Sequence, residues 1–326
     1  MVLFVEKVGV LGAGVMGHQI ADIMALNEKQ VFLKDVNMDL VNKALKNIEK
    51  LLDDLVGFHL TKAEREIQRV EERDGVKLTE EQKRRVRETL RPTYDERRKG
   101  EILNRIKGTD RWGDFREVDL VIEAVLEDIE VKKKVFRKLD EVCPSHAVLA
   151  TNTSTLSITE IASATRRPHR VLGMHFFNPP VTLPLIEVIP GLETSEETVN
   201  DVIDFAQSLR NHRYFMQPIR VKETPGFLVN RVLGAMLNEA FACYEEGVAS
   251  LRDIDLAMKA GAGMPMGPFE LADLIGIDVL YHSFENVRRM QGGITQQRPV
   301  QIIKRMYHAG RWGRKTGRGF YEYPEE

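Results

Sequence analysis

The sequence predicts an α/β fold in which a doubly wound, mostly parallel sheet precedes a second, all-helical domain. The sheet is indicated by a short apolar strand, Val5 to Leu11, that runs into a glycine-rich loop, and by strand-like runs that then alternate with helical stretches. The second domain is indicated by the helical patterns that fill the chain from Phe227 onward. Turn chemistry at Thr224-Pro225-Gly226 places the boundary, giving domains of 1–222 and 223–326.

Composition limits the class of protein. The chain has 326 residues and a net charge of -2, so two domains are expected and no overall field attracts nucleic acid or anionic membrane. The two cysteines, Cys143 and Cys243, form no CxxC pair, and the sequence has no signal-peptide pattern and no apolar run of membrane-spanning length. We therefore expect a cytoplasmic protein with buried, unreactive thiols, no metal site, and no nucleic-acid or membrane partner.

The first strand leads directly into Gly12-Ala13-Gly14-Val15-Met16-Gly17, and a helical pattern follows from His18 to Leu26. Between a strand and a helix, each glycine of a GxGxxG pattern has a role. Gly12 makes the tight turn, Gly14 lets the backbone approach a pyrophosphate, and Gly17 lets the helix pack close to the strand. The N–H groups and the dipole at the start of the helix favour phosphate. The loop therefore predicts a dinucleotide site.

A second strand, Gln30 to Leu33, ends at Lys34-Asp35, about twenty residues beyond the glycine loop. A carboxylate at this point accepts hydrogen bonds from the adenosine ribose and repels a 2′-phosphate, so Asp35 favours NAD over NADP. Lys34 and Lys29 weaken that preference, because a cation would attract the phosphate. The alternative interpretation of Asp35 is an ordinary turn aspartate.

The composition changes to dense, mixed charge between about 60 and 105. Thr61 with Glu64, and Thr79 with Gln82, have the spacing of a capping box, which predicts two or more solvent-exposed helices. Because both signs of charge are mixed, a solvated helical insertion is the first interpretation.

Arg91-Pro92 and Gly100 are expected to interrupt this charged insertion. A second interpretation is that the insertion forms a lid or arm over a substrate that carries phosphates.

Three later segments follow the ends of strand-like runs. These runs are Val118 to Val125, Ala147 to Thr151 and Val171 to Phe177. In a doubly wound sheet, ligands bind beyond the carboxyl ends of the strands. We therefore predict that three groups converge on the crevice of the glycine loop: Glu123 to Glu127, Asn152-Thr153-Ser154 and His175.

His175 lies in the segment GMHFFNPP, and Glu187 lies in a second short apolar run, Leu185 to Ile189. Prolines between the two runs prevent either strand from continuing across the gap. If the chain reverses there, His175 and Glu187 meet side by side, and a histidine oriented by a carboxylate is a general base that works near neutral pH. The alternative is a buried histidine that satisfies a neighbouring polar group.

The second domain has five helical patterns, with apolar faces that predict burial against a second copy of the chain, and hence a homodimer. They are Phe227 to Tyr244, Leu251 to Gly261, Phe269 to Gly276, Val279 to Met290 and Pro299 to Ala309. The end of the chain, Gly310 to Tyr323, is basic and aromatic. It is interpreted either as a tail docked by its aromatic rings or as a contribution to phosphate binding.

Eight motifs along the chain resemble those of the 3-hydroxyacyl-CoA dehydrogenase family, and within it the 3-hydroxybutyryl-CoA dehydrogenases. The motifs are GAGVMG, VIEAVLED, TNTST, GMHFFNPP, LIEVI, TPGFLVNR, MPMGPFELADLIGID and GRKTGRGFY. The resemblance runs almost end to end and fails only between about Leu60 and Arg105. It implies a Rossmann-type NAD-binding domain, a helical dimerisation domain, and oxidation of a 3-hydroxyacyl-CoA to the 3-ketone in fatty acid metabolism by beta-oxidation.

The resemblance also assigns catalytic roles. The family's catalytic histidine falls on His175 and its partner glutamate on Glu187. The serine that contacts substrate falls on Ser154, and the active-site asparagine falls on Asn230.

Further residues acquire ligand-binding roles in the same way. The acid that contacts the cofactor falls on Glu127, with Lys132 five residues beyond it. Asn152 falls on the cofactor side, and Asn178 lies where the family also contacts ligand.

Two alternatives stay open on the sequence. The segment NPPVTLPLIEVIP also resembles L-gulonate 3-dehydrogenase and the related lens crystallins, which would make the protein a sugar-acid dehydrogenase. A non-enzymatic NAD-binding structural protein is the other. The joint presence of His175, Glu187, Ser154 and Asn230 argues against the second alternative.

Overall fold

The computed structural model describes residues 4–91, 94–290 and 301–324. The chain divides into two compact units. The first extends to Val221, apart from Ser154–Ser157, which belong with the second unit that begins at Lys222. Each unit has its own cluster of buried apolar side chains.

The first unit is built on an eight-stranded sheet with the order β3-β2-β1-β4-β5-β6-β7-β8. The strands are β1 (Lys7–Leu11), β2 (Gln30–Lys34), β3 (Ile106–Thr109), β4 (Leu120–Glu123), β5 (Val148–Thr151), β6 (Val171–Phe176), β7 (Leu185–Pro190) and β8 (Gln217–Arg220). Neighbouring strands are parallel except β6 and β7, which are antiparallel. The predicted doubly wound, mostly parallel sheet is confirmed.

The described residues of this unit form seven α-helices. They are α1 (Val15–Leu26), α2 (Met38–Asp74), α3 (Glu80–Thr89), α4 (Glu96–Asn104), α5 (Ile129–Val142), α6 (Ile158–Ala162) and α7 (Glu196–Ser208). The strands read as continuous apolar runs, such as Leu120 to Glu123, because helices cover both faces of a parallel sheet. β3 was not predicted. It is a four-residue edge strand with only Ile106 and Thr109 buried, so its alternation is too short to stand out after the charged insertion.

The prediction that Thr61 caps a helix in the charged insertion is wrong. Thr61 does not begin a helix but lies within the 37-residue α2, where its hydroxyl donates to Gly57 O at 2.7 Å. Such a bond within one turn is compatible with a continuing helix. α2 ends only at Gly75, whose φ of 63° is the left-handed conformation that glycine adopts readily. The helix continues because one face of its first half is buried and no strong helix breaker lies between that half and Gly75.

The second capping box is confirmed. Thr79 accepts from Gln82 N at 3.3 Å, and the Gln82 side chain accepts from Thr79 N at 2.8 Å, at the start of α3. The predicted break at Gly100 is wrong, since Gly100 lies within α4. One glycine within a helix costs only about 1 kcal/mol. Burial of Ile102 in the same helix stabilises the fold by more than that. α3 ends before the predicted break at Arg91-Pro92, but Pro92 itself lies outside the described residues.

The described residues of the second unit are mainly helical. Its helices are α8 (Val229–Glu245), α9 (Leu251–Ala262), α10 (Pro268–Ile275), α11 (Ile277–Met290) and α12 (Ile302–His308). The predicted start of the last helix at Pro299 lies outside the described residues. No helix in residues 4–91, 94–290 and 301–324 combines the length and apolar character that a membrane span requires.

Two buried carboxylates organise the end of the second unit. Asp273, 1% exposed, accepts from Phe320 N at 2.8 Å and Tyr321 N at 2.9 Å. Asp255, also 1% exposed, accepts from Phe269 N at 2.8 Å and from the Tyr321 hydroxyl at 2.7 Å. The Phe320 ring lies 4.7 Å from that of Phe269. The tail is therefore docked by its aromatic residues, the first of its two interpretations.

The basic side chains of this tail are engaged within the second unit, which removes support for the phosphate-binding interpretation. Arg311 donates to Gly319 O, and Lys315 pairs with Asp278 at 2.5 Å. Arg314 lies over the Tyr323 ring at 5.4 Å.

The two cysteines differ in burial. Cys143 is buried as predicted, and burial raises the pKa of its thiol to about 12. Cys243 is only partly buried, so the prediction of two buried thiols holds for one of them.

Candidate active site

The carboxyl ends of the central strands bring the glycine loop, the segment after β2 and the segment after β4 together. Gly12 N donates to Lys34 O at 2.8 Å, and Ala124 N donates to Leu11 O at 2.7 Å. Gly12 has φ of +100°, and a Cβ atom there would lie 2.5 Å from Ala124 O. Glycine is therefore required at this turn, because any side chain would clash with the loop after β4.

The start of α1 suits an anion. Gly14 is its N-cap and has no side chain with which to cap the helix, and the first turn contains no acidic residue. A Cβ atom built on Gly14 would meet nothing within 4 Å, so the backbone there is open to close approach. Val15 is 60% exposed at the same point. The unfilled N–H groups and the dipole of a helix start bind phosphate, so these residues fit the pyrophosphate of a dinucleotide.

Asp35 lies against this loop. Its carboxylate accepts from Ala13 N and from Val36 N, each at 2.6 Å. Because each carboxylate oxygen has two lone pairs, both retain capacity to accept from ribose hydroxyls. The prediction that Asp35 and the glycine loop share one site is supported by this contact.

Lys34 is not placed to attract the 2′-phosphate of NADP, so it does not counteract the repulsion from Asp35. Its side chain is buried, with Nζ donating to Asp35 O at 3.0 Å and Asp110 O at 2.6 Å and lying 4.8 Å from the Trp112 ring. Burial lowers the pKa of this amine. The reservation that Lys34 raised against NAD is thereby removed.

A buried ion pair lies at the end of β4. Lys132 Nζ is 2.6 Å from Glu123 Oε1 and 3.5 Å from Glu127 Oε2. Lys132 is 1% exposed and Glu123 is fully buried, whereas the Glu127 side chain is 35% exposed. Glu127 therefore presents a carboxylate at the surface, backed by the buried pair. Contact of Glu127 and Lys132 with cofactor stays a prediction.

Glu123 was predicted only as part of a converging segment, without a role of its own, yet it joins β4 to β5. Its Oε1 also accepts from Val125 N at 2.6 Å, and its Oε2 accepts from the Thr151 hydroxyl at 2.6 Å. The Thr153 hydroxyl donates to Glu127 Oε1 at 2.6 Å. The sequence did contain a signal for this role, since Glu123 is a carboxylate at the end of a buried strand. A buried charge requires partners, so such a residue predicts a network of contacts.

Asn152 extends this network to β6. Its side-chain Oδ1 accepts from Phe176 N at 2.8 Å, and its own N–H donates to Glu123 O at 2.7 Å. The end of β6, including His175, is thus tied to the segments that follow β4 and β5.

His175 and Glu187 are directly opposite each other in the antiparallel pair β6–β7. His175 Nδ1 lies 2.8 Å from Glu187 Oε2, and the pair is buried, with exposures of 3% and 0%. The predicted meeting of the two side chains is confirmed. Because the carboxylate accepts, Nδ1 carries the hydrogen, and Nε2 is the nitrogen that can take up a proton. The Phe177 ring lies 4.6 Å from the imidazole and limits its movement.

Three further residues were predicted to take part in the site. Asn178 is exposed in the turn after β6. Ser154 and Asn230 both belong to the second unit, Asn230 in the first turn of α8. Their catalytic and substrate-binding roles stay predictions.

A helix start that fits phosphate, a carboxylate beside it and an imidazole–carboxylate pair, all in one unit, are the features of one class of protein: an NAD-dependent dehydrogenase. Comparison with known proteins agrees. The sequence model described as 3-hydroxyacyl-CoA dehydrogenase, NAD binding domain, matches residues 7–224. The model described as 3-hydroxyacyl-CoA dehydrogenase, C-terminal domain, matches residues 226–323.

Similar proteins span the whole chain. A 3-hydroxybutyryl-CoA dehydrogenase of Clostridioides difficile is 40% identical over 317 residues, covering 97% of this chain and 99% of its own. The mitochondrial hydroxyacyl-coenzyme A dehydrogenase of Homo sapiens is 36% identical over 321 residues, covering 98% and 92%. The crystal structure of (S)-3-hydroxybutyryl-CoA dehydrogenase PaaH1 from Ralstonia eutropha superposes with a TM-score of 0.81 at 35% identity, covering 99% and 100%. The chain belongs to the 3-hydroxyacyl-CoA dehydrogenase family.

Proposed function

We propose that this protein oxidises the 3-hydroxyl group of an (S)-3-hydroxyacyl-CoA to the 3-ketone, reversibly, with His175 as the general base. The observation that carries the proposal is the buried His175–Glu187 contact at 2.8 Å on the sheet that bears the glycine loop. Bound NAD would supply the acceptor for the hydride that leaves C3.

His175 would take the hydroxyl proton on Nε2 while the C3–H bond breaks and the C=O bond forms. Glu187 holds Nδ1–H, which fixes the ring orientation and stabilises the imidazolium once the proton has moved. In the reverse direction the same imidazolium returns its proton to the forming alkoxide. Burial of the pair strengthens this electrostatic support, because little water screens it.

Ser154 and Asn230 are proposed to hydrogen-bond the reacting oxygen and the thioester region, which would hold C3 in a productive position. Glu127, Asn152 and Lys132 are proposed to contact cofactor, and Asn178 is proposed to contact substrate. These assignments rest on the resemblance of TNTST, TPGFLVNR and VIEAVLED to the family's motifs.

The test is NADH oxidation with a substrate panel: acetoacetyl-CoA, longer 3-ketoacyl-CoA thioesters, and the 3-keto form of a sugar acid. We expect turnover of the thioesters, with NADPH much poorer because Asp35 repels the 2′-phosphate. Exclusive turnover of the sugar acid would support the L-gulonate 3-dehydrogenase-like alternative. The third alternative, a non-enzymatic protein, conflicts with the dehydrogenase class established above.

We further propose a homodimer formed through the second unit. Several of its large apolar side chains are exposed, at 46–62% of their surface: Leu228, Val232, Leu256, Leu274 and Val279. Exposed apolar side chains grouped on one unit are typical of a protein interface. Val232→Asp should convert the dimer to a monomer in light scattering, and Leu192→Asp, an exposed apolar site on the first unit, is the matched control.

A cytoplasmic location and a role in beta-oxidation complete the proposal. The location is supported by the two cysteines, both free thiols. The role is supported by the acyl-CoA names of the relatives.

A further inference from the structure

A second chain of buried polar groups lies in the first unit and has no part in the proposed reaction. The Tyr94 hydroxyl is 2.5 Å from His212 Nδ1, and His212 Nε2 is 2.5 Å from Asp22 Oδ2. Tyr94 is 5% exposed and Asp22 is fully buried. The His59 ring lies 5.2 Å from the ring of Tyr94.

The direction of these bonds follows from the groups involved. Asp22 can only accept, so Nε2 of His212 carries a hydrogen and Nδ1 accepts from Tyr94 when the ring is neutral. Burial, and then the charge of Asp22, raise the pKa of Tyr94 to about 12, so its hydroxyl keeps the hydrogen that it donates. The second oxygen of Asp22, Oδ1, has no hydrogen-bond partner among the described residues. The carboxylate therefore depends on His212.

The hydrogen-bonded groups Tyr94, His212 and Asp22 join three parts of the first unit. Asp22 lies on α1, the helix that begins at the glycine loop. Tyr94 lies between α3 and α4 in the charged insertion, and His212 lies between α7 and β8. A shift of the loop around His212 would leave a buried carboxylate without its partner, which is among the costlier changes a protein interior can undergo.

Asn211, the residue before His212, contacts the hairpin of β6 and β7 that carries His175 and Glu187. Asn211 is fully buried, and its Nδ2 donates to Pro180 O at 3.2 Å, in the turn that joins β6 to β7. Its Oδ1 accepts from Arg213 N at 2.9 Å and Tyr214 N at 2.8 Å, which makes the loop rigid. Adjacent residues thus hold the catalytic turn on one side and, on the other, both α1 and the charged insertion.

We propose that Asn211 and His212 are positioning residues that fix the turn between His175 and Glu187 relative to α1 and the charged insertion. The inference rests on the proposed function of that hairpin. The turn sets the mutual placement of the strands that carry the acid–base pair, and small misplacements at such a site reduce turnover strongly. We call the contacts of Asn211 and His212 with the turn, α1 and the insertion the junction. Tyr94 contacts the junction from the side of the insertion.

The test compares Tyr94→Phe, Asn211→Asp and the control Tyr214→Phe. Tyr94→Phe removes only the hydroxyl that reaches His212. Asn211→Asp keeps the acceptor for the two loop amides and removes the donor to Pro180. Tyr214 is 55% exposed in the same loop, so its change to Phe deletes a hydroxyl without touching the junction.

Three quantities are measured in each variant: kcat with acetoacetyl-CoA, the Kd of NADH by fluorescence, and amide hydrogen exchange of the peptide 177–185. In that peptide, Thr182 N and Leu183 N donate to Pro179 O, so their exchange reports on the turn. We expect Tyr94→Phe and Asn211→Asp each to lower kcat about 3- to 10-fold and to speed this exchange, with the NADH Kd unchanged. Tyr214→Phe should match the wild type throughout.

The double variant Tyr94→Phe/Asn211→Asp should be no slower than the slower single variant, because both act through one junction. If Tyr94→Phe has both the wild-type exchange rate at the turn and the wild-type kcat, the proposal is overturned. The buried polar groups would then have a structural role only. If the wild-type protein fails to reduce acetoacetyl-CoA, the proposed function fails, but the exchange measurement still decides the junction. Should Tyr94→Phe not fold, Asn211→Asp alone gives the same decision.

Discussion

His175 and His212 are both buried imidazoles that contact a buried carboxylate, at 2.8 Å from Glu187 and 2.5 Å from Asp22. Both lie in the first unit. They differ in the role that we assign to the second ring nitrogen. For His212, both ring nitrogens are engaged by protein, since Tyr94 takes the other. For His175, Nδ1 is engaged by Glu187, and we assign Nε2 to the substrate hydroxyl.

The difference shows that a buried imidazole–carboxylate pair is not in itself a catalytic signature. Position decides its use. His175 lies on the sheet that carries the glycine loop, one residue from the end of β6. His212 itself contacts Asp22 on α1 and Tyr94 in the charged insertion. In our proposals, the same chemistry moves a proton in one case and fixes the backbone in the other.

Loss of the carboxylate separates the two pairs most strongly. Glu187→Gln should lower kcat on the order of 10²- to 10⁴-fold, because the ring loses its orientation and its support for the imidazolium. Its thermal stability should change less than its activity. Asp22→Asn, the matched change in the other pair, should instead cost about 1–3 kcal/mol of unfolding free energy. Steady-state kinetics and urea unfolding of both variants test the contrast, and a larger kcat loss in Asp22→Asn would reverse it.

Glu123 provides a third buried carboxylate, paired with an amine instead of an imidazole. Glu123→Gln leaves the Lys132 ammonium buried without its closest charge, so we expect a loss of about 3–5 kcal/mol in unfolding free energy. The double variant Glu123→Gln/Lys132→Met removes both charges and should recover most of that stability. If it does not, the hydrogen bonds that Glu123 receives from Val125 and Thr151 carry the stabilisation instead.

Alkaline pH gives the smallest expected effect, which we expect at the second of the two pairs. The pKa of Tyr94 is raised from 10.0 to about 12, so the protonated hydroxyl stabilises the fold fully below pH 10, and that contribution is lost between pH 10 and 12. The slope attributable to one such group is at most about 1.4 kcal/mol per pH unit. Tyr94→Phe should flatten the fall of the urea midpoint across this window. An unchanged slope would mean that Tyr94 does not titrate with unfolding.

The first pair was open to prediction from sequence, and the second was not. His175 and Glu187 lie on two apolar runs separated only by a proline-rich turn, so the alternation of a hairpin brings them face to face. Asp22, Tyr94 and His212 are far apart in the chain, and none lies in a distinctive local pattern. Their meeting depends on how α1, the insertion and the loop before β8 pack together, which local periodicity does not encode.

The same distinction applies to the rest of the fold. Glycine spacing and apolar runs predicted the central strands and α1 well, because parallel strands are buried on both faces. The insertion was predicted less well. Thr61 has the residue type and spacing of a cap, but the buried face of the first half of α2 and a continuous helical sequence override it. The role of Glu123 was not predicted because it depends on Lys132 and Thr151, which only the folded sheet brings to it.

Turnover and NADH affinity of His175→Gln, measured on one preparation, test the central claim most directly. We expect kcat with acetoacetyl-CoA to fall about 10²- to 10⁴-fold while the Kd of NADH stays at the wild-type value, since the imidazole moves the proton and leaves the cofactor contacts to the glycine loop. Wild-type turnover in this variant, or a parallel loss of turnover and NADH affinity, would contradict the assignment of His175 as the base.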